Sequence, residues 1–144
     1  MKTIGIIGAM DEEVLLIKSS MTVEKTVEKA GCIFLEGSIE GKHAVVVRCG
    51  IGKVNAAMCT QILIDLFNVD AVINTGAAGA LASGITVGDV VISTDALQHD
   101  MDCSPLGDPI GTIPRMKESI FKADASLVKT AYDASKKIID GKTI

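Results

Sequence analysis

Three consecutive acids, Asp11-Glu12-Glu13, follow the apolar run Ile4 to Ile7 and the step Gly8-Ala9-Met10. Grouped carboxylates are candidates for contact with a ligand. The place matters as much as the type. A short apolar run that breaks at glycine and gives way to acids reads as a strand feeding a helix. In open α/β sheets, ligands collect at that C-terminal strand edge. The same acids also have a use without chemistry, because negative charge in a first helical turn complements the helix dipole. Taken alone, the triplet favours that structural use, and Met10 beside it reads as core.

A second stretch has the same layout. Gly76-Ala77-Ala78-Gly79 follows the apolar run Ala71 to Asn74. Its bland use is a tight turn that needs glycine. Its functional use is a flat shelf of small residues where backbone groups meet a planar ligand. Other candidates fall away. Gly5-Ile-Ile-Gly8-Ala-Met10 is not the G-x-G-x-x-G of dinucleotide sites. Gly50-Ile51-Gly52-Lys53 lacks the earlier glycine of a phosphate loop (Val47 stands there), and Val54 replaces the magnesium-binding hydroxyl. His99-Asp100-Met101-Asp102-Cys103 mixes ligand types at a spacing that fits no standard metal site and reads as a polar loop entry. His43 sits in an apolar run and reads as structural or exposed.

The elements that would position these residues alternate between strand and helix. Ile4 to Gly8 is a buried strand, and 11–20 is a helix. The stretch 32–50 holds two strands joined at Glu40-Gly41-Lys42. The run 52–67 has helical apolar spacing, and Ala71 to Thr75 is the next buried strand. Residues 88–100 are extended. Cys103 to Arg115 is a long loop that holds all three prolines. Residues 124–140 form a helix capped by Asp124 or Ser126, with Lys136 and Lys137 in its last turn and Gly141 as its stop. This pattern predicts an α/β fold with a mixed, largely parallel central sheet flanked by helices. After Gly141, Lys142-Thr143-Ile144 reads as the start of a further strand, so the domain reads as apparently truncated.

The 144 residues suggest a single domain. Lys and Arg number 14 against 18 Asp and Glu, with no basic block, which argues against nucleic acid as a partner. No signal-peptide core or membrane-length run is present, so a cytoplasmic chain is expected. Cys32, Cys49, Cys59 and Cys103 form no Cys-x-x-Cys pair and read as reduced, mostly buried thiols, with zinc as the lesser alternative.

Four segments in one order, "IGIIGAMDEEV", "CGIGKVNAA", "VINTGAAGAL" and "VGDVVIS", resemble the 5'-methylthioadenosine/S-adenosylhomocysteine nucleosidases of the nucleoside phosphorylase superfamily. The resemblance runs over essentially the whole chain. It implies that residues 1–144 are the N-terminal portion of a nucleoside phosphorylase-like domain whose C-terminal third is absent. It also implies hydrolysis of the N-glycosidic bond, through an oxocarbenium-like state, with release of adenine and the thioribose sugar. Glu13 matches the carboxylate that activates water. Met10, Ile51, Ala77, Ala78 and Gly79 match substrate contacts; serine often stands at the position of Ala77. Leu106 and Pro114 match apolar positions on a loop that reaches the neighbouring subunit of a homodimer. The substrate is a small nucleoside, with no cofactor, metal or membrane. Related phosphorylases carry a phosphate-binding arginine where Asn74 stands, so water is the expected nucleophile. Arg48, the other candidate, lies in an apolar run that points elsewhere. The family's ribose-gripping glutamate and leaving-group aspartate match nothing in these residues. The chain alone is therefore expected to be inactive, and a non-catalytic nucleoside-binding or assembly fragment and a phosphorylase are the alternatives.

Overall fold

The computed structural model describes residues 2–139. They form two compact units, divided after Gly79.

The first unit is a five-stranded mixed sheet in the order β2-β3-β4-β1-β5. The strands are β1 (Ile4–Gly8), β2 (Thr22–Lys29), β3 (Cys32–Ile39), β4 (Lys42–Arg48) and β5 (Ala71–Asn74). β1 pairs in parallel with β4 and β5, while β2-β3 and β3-β4 are antiparallel. Both antiparallel connections are two-residue turns, Ala30-Gly31 and Glu40-Gly41, with positive φ at both positions. That is the geometry whose twist suits a tight hairpin. Lys42 therefore belongs to β4 and not to the turn.

Helix α1 (Asp11–Ser19) and helix α2 (Lys53–Phe67) pack against β1 and β4. The uninterrupted run Ala44-Val45-Val46-Val47 is wholly buried, as a strand covered on both faces must be. Alternation then sorts the packing. Val45, Val47 and Ile7 gather with Phe34 and with Cys59 and Leu63 of α2. On the opposite side of β1, Gly8 faces Val14 of α1, which is itself fully buried. Burying a side chain such as Leu63 contributes about 1.5–3 kcal/mol relative to leaving it exposed. Phe34 stacks on Phe67 with ring centroids 5.4 Å apart. α2 then ends at Asn68, which takes the left-handed conformation.

β5 departs from expectation. The sequence predicts a buried strand; among the described residues β5 has a neighbour on one side only, and its Ile73 and Asn74 are exposed while Ala71 and Val72 are partly buried. β2 was not foreseen at all. It too has a neighbour on one side only among the described residues, is mostly exposed, and only its Val27 packs on the core.

In the second unit, β6 (Asp95–Leu97) pairs antiparallel with β7 (Ile120–Lys122), and Lys122 Nζ lies 2.9 Å from Asp95. The extended run 88–100 thus supplies only three ladder residues. The proline-rich loop contains one 3₁₀ turn, Ser104–Leu106. Helix α3 (Ala125–Ser135) is capped by Asp124, whose carboxylate accepts from the amides of Ser126 and Leu127 at 2.9 Å each. Such a cap is worth about 1 kcal/mol. α3 ends before Lys136 and Lys137, which follow it instead of forming its last turn. The expected stop at Gly141 and the strand start at Lys142 to Ile144 lie outside the described residues. Among those residues, no helix is long and apolar enough to cross a membrane.

Candidate active site

The candidate site lies at the C-terminal edge of β4, β1 and β5, within the first unit. β1 ends at Gly8, and Ala9 and Met10 turn the chain into α1. Gly8 is needed for closeness here. A Cβ at that position would lie 2.7 Å from Val14 Cγ1 and 3.2 Å from Glu13 Cβ. Without one, the first turn of α1 folds directly over the strand end.

Glu13 is the third residue of α1, and its side chain turns back. Oε2 accepts from the amide of Ala9 at 2.6 Å and from that of Met10 at 3.0 Å. The bond to Met10, the residue preceding the helix, is the acidic half of a capping box. The structural use of the triplet is therefore real. It does not account for the other oxygen. Oε1 accepts at 3.0 Å from the amide of Ala77, 64 residues away and beyond the end of β5. One carboxylate is thus clasped by three backbone donors from two strand exits. These bonds, that of Ala77 foremost, then those of Met10 and Ala9, hold the Glu13 carboxyl below the ordinary carboxylate range against the opposing pull of desolvation. It is an ionised, oriented acceptor of the kind that can hold and deprotonate a water.

Asp11 and Glu12 are both exposed. Asp11 Oδ1 lies 3.3 Å from Arg48 Nε and 3.7 Å from Lys18 Nζ. This corrects the placement of Arg48. It is the last residue of β4, exposed, and engaged at the N-terminus of α1 instead of pointing away from this edge.

The glycines of the second stretch are not turn formers. Neither Gly76 nor Gly79 takes a left-handed conformation. A Cβ at Gly76 would overlap the Glu13 carboxylate, with Cδ at 2.6 Å. What comes close to this backbone inside the protein is Glu13. Sequence reasoning grouped Gly76 with its neighbours and missed its separate role. The available signal was a glycine at one strand exit facing a helix-start acid at the next.

Met10 is not core; it is exposed at the mouth of the clasp, as are Ala77, Ala78 and Gly79 along the shelf. Ile51 is exposed on the β4–α2 connection. There Gly50 and Gly52 have positive φ, and Gly52 precedes α2, so this glycine pair is explained by backbone conformation. Leu106 and Pro114, both exposed, lie in the second unit. His43 is structural. Its Nδ1 is 3.2 Å from the Thr3 hydroxyl, and its Nε2 is 3.7 Å from Glu36. Cys49 and Cys59 are buried free thiols, and Cys59 Sγ lies 3.6 Å from Cys32 Sγ.

The sequence model of the phosphorylase superfamily matches residues 3–141. The chain belongs to that superfamily. It is 47% identical over 136 residues to the 5'-methylthioadenosine/S-adenosylhomocysteine nucleosidase of Oceanobacillus iheyensis, a match that covers 94% of this chain and 59% of that one. Among solved structures, it is similar to the nucleosidase of Neisseria meningitidis in complex with methylthio-immucillin-A. The TM-score is 0.93 at 38% identity, over 99% of this chain and 62% of that one. The nucleosidase of Colwellia psychrerythraea in complex with adenine matches with a TM-score of 0.88 at 40% identity, over 99% and 60% of the two chains. The chain therefore spans about three-fifths of the length of these relatives. The superfamily match and the mixed sheet agree with the fold read from the sequence.

Proposed function

We propose that this chain supplies the water-side half of a nucleosidase site. The reaction is hydrolysis of the N-glycosidic bond of 5'-methylthioadenosine and S-adenosylhomocysteine to adenine and the thioribose sugar. The observation that carries the reading is the Glu13 carboxylate, ionised and clasped across two strand exits. Glu13 holds the attacking water and takes its proton. Met10 and the shelf Ala77-Ala78-Gly79 border the ribose and purine, and Ile51 borders the alkylthio group. Leu106 and Pro114 act on the partner's pocket in a cytoplasmic homodimer. The 144 residues are then the N-terminal portion of a nucleoside phosphorylase-like domain, in keeping with the share of its relatives that the chain spans.

Water is favoured over phosphate by charge. The three amides that would suit an anion are already taken by Glu13, and the Arg48 guanidinium faces Asp11. A phosphate at this edge would meet two carboxylates at close range, which disfavours it. Asn74, exposed at the end of β5, brings no charge.

The test is a chimaera in which residues 1–144 replace the matching segment of the Oceanobacillus iheyensis nucleosidase. It releases adenine from methylthioadenosine at the same rate in phosphate and in a non-coordinating buffer, and the sugar product carries no 1-phosphate. Formation of the sugar phosphate refutes the reading, as does a folded chimaera without adenine release. The 144-residue chain by itself, at its 15.0 kDa mass, releases adenine slowly or not at all.

A further inference from the structure

The nucleosidase reading leaves Gly76 without a role, yet Gly76 is pressed hardest against the carboxylate. Its own dihedrals would tolerate a side chain, and space does not. A Cβ would overlap Glu13 Oε1 and lie 2.6 Å from Cδ and 3.0 Å from Oε2. Among the described residues, nothing outside its chain neighbours lies within 4 Å of such a Cβ at Gly79, three residues on. Two donors of the clasp, Ala9 and Met10, lie just ahead of Glu13 in sequence and would accompany any capped helix start. The third donor, Ala77, is brought by β5 and directly follows Gly76.

We infer that Gly76 is a positioning residue: its missing side chain lets the α1 carboxylate lie against the β5 exit and take the Ala77 amide, so that Glu13 is pinned between two strand ends instead of capped on one. The bearing on catalysis rests on the nucleosidase reading. The geometry does not, and it is testable without turnover.

The probe is NMR titration of the 144-residue chain carrying ¹³C-labelled glutamate and ¹⁵N-labelled backbone. The Glu13 carboxyl and the Ala77 amide titrate with one midpoint, below the ordinary glutamate range. In Gly76→Ala that midpoint moves up, the Ala77 amide stops following it, and the Ala9 and Met10 amides still do. Gly79→Ala leaves all of these resonances on their original curves. A Gly76→Ala chain whose Ala77 amide still titrates with an unmoved Glu13 overturns the inference.

Where Gly76→Ala does not fold, a double mutant carries the test. Glu13→Ala removes the obstacle. In that background Gly76→Ala keeps a cooperative urea transition, which Gly76→Ala in the native chain lacks. Loss of the transition in both backgrounds overturns the inference. In the active chimaera, Gly76→Ala raises the acid limb of the kcat/KM profile and lowers kcat, with KM held within a few-fold. A chimaera that releases no adenine while the titrations hold refutes the nucleosidase reading and leaves the role of Gly76 standing.

Discussion

Replacing Glu13 by glutamine isolates what the carboxylate does. The side chains are nearly isosteric, so the first turn of α1 keeps its shape. The hydrogen-bond ledger changes in a definite way. Both carboxylate oxygens accept, one from Ala9 and Met10 and the other from Ala77. An amide has one oxygen. Turned toward Ala9 and Met10, it keeps two bonds and sets its NH₂ against the Ala77 N–H, donor facing donor. The reverse orientation keeps one bond and opposes two, so the first is adopted. The variant thus holds its place while losing its charge, its proton-accepting oxygen and its tie to β5. Loss of a positioned general base costs about 10²- to 10⁴-fold. In the chimaera, kcat is expected to fall in that range while KM stays within a few-fold, because an interaction that matters in the transition state is removed. Adenine release gives the rates, and calorimetry with methylthio-immucillin-A gives the binding. Glu13→Asp keeps the charge but is one methylene shorter and cannot span both strand exits, so its rate falls between wild type and Glu13→Gln. A Glu13→Gln rate within a few-fold of wild type would refute the assignment, and Glu12 would be examined next. A raised KM at constant kcat would make Glu13 a substrate holder only.

Two further predictions concern the frame. Gly8→Ala places a methyl 2.7 Å from Val14 Cγ1 and 3.3 Å from the Thr75 carbonyl. Forced overpacking of this kind costs about 1–3 kcal/mol, seen as a lower urea midpoint at constant m, and an unchanged midpoint would show that α1 does not bear on the strand end. Burial, with Cys32 close by, pushes the Cys59 thiol up to about 12. Since the thiolate is the reactive form, iodoacetamide at pH 8 should modify the half-buried Cys103 long before Cys59 in the native chain, as read by peptide mass mapping. Equal rates would refute the burial of Cys59.

The sequence was legible where one rule decided each element. The run Ala44 to Val47 announces a strand covered on both faces, and Asp124 announces a helix start. The edges were not legible. Thr22 to Lys29 alternates with only two apolar residues, Val23 and Val27, and a register shift between Val23 and Lys25 breaks even that pattern. Its turn, Ala30-Gly31, lacks the asparagine or aspartate that usually marks positive φ. β5 reads as buried from its apolar run, and among the described residues it has a neighbour on one side only. In the site, residue types marked only the acid triplet and the family resemblance singled out Glu13, but the clasp is made of backbone amides, which any sequence possesses. The feature that betrays them is Gly76, and its meaning depends on which helix lies opposite.

The clasp raises an apparent conflict. Hydrogen bonds that hold a carboxyl below its ordinary range also make it a weaker base, and a general base works best when its pKa lies near the working pH. The proposed reaction resolves this. If the glycosidic bond breaks early, water meets a sugar that already carries positive charge and gives up its proton late. A fixed negative charge and a fixed lone pair then count for more than basicity, and a clasp supplies both. The pH dependence follows with a definite sign. Ionised Glu13 is the working form, and its carboxyl is held low. Activity should therefore persist below the ordinary carboxylate range and fall only as Glu13 itself is protonated. Stability follows the same direction. A group whose folded pKa is depressed contributes stability above its unfolded value, and that contribution is lost as pH falls through the folded value. Glu13→Gln should therefore flatten part of the acid-unfolding slope in that window, measured by urea midpoints across the acid range. Native and Glu13→Gln chains with parallel acid-unfolding curves, or an acid limb of kcat/KM at or above the ordinary carboxylate value, would show that the three amides do not hold the carboxylate in solution. The case for Glu13 as a pinned, ionised water acceptor would fall with them.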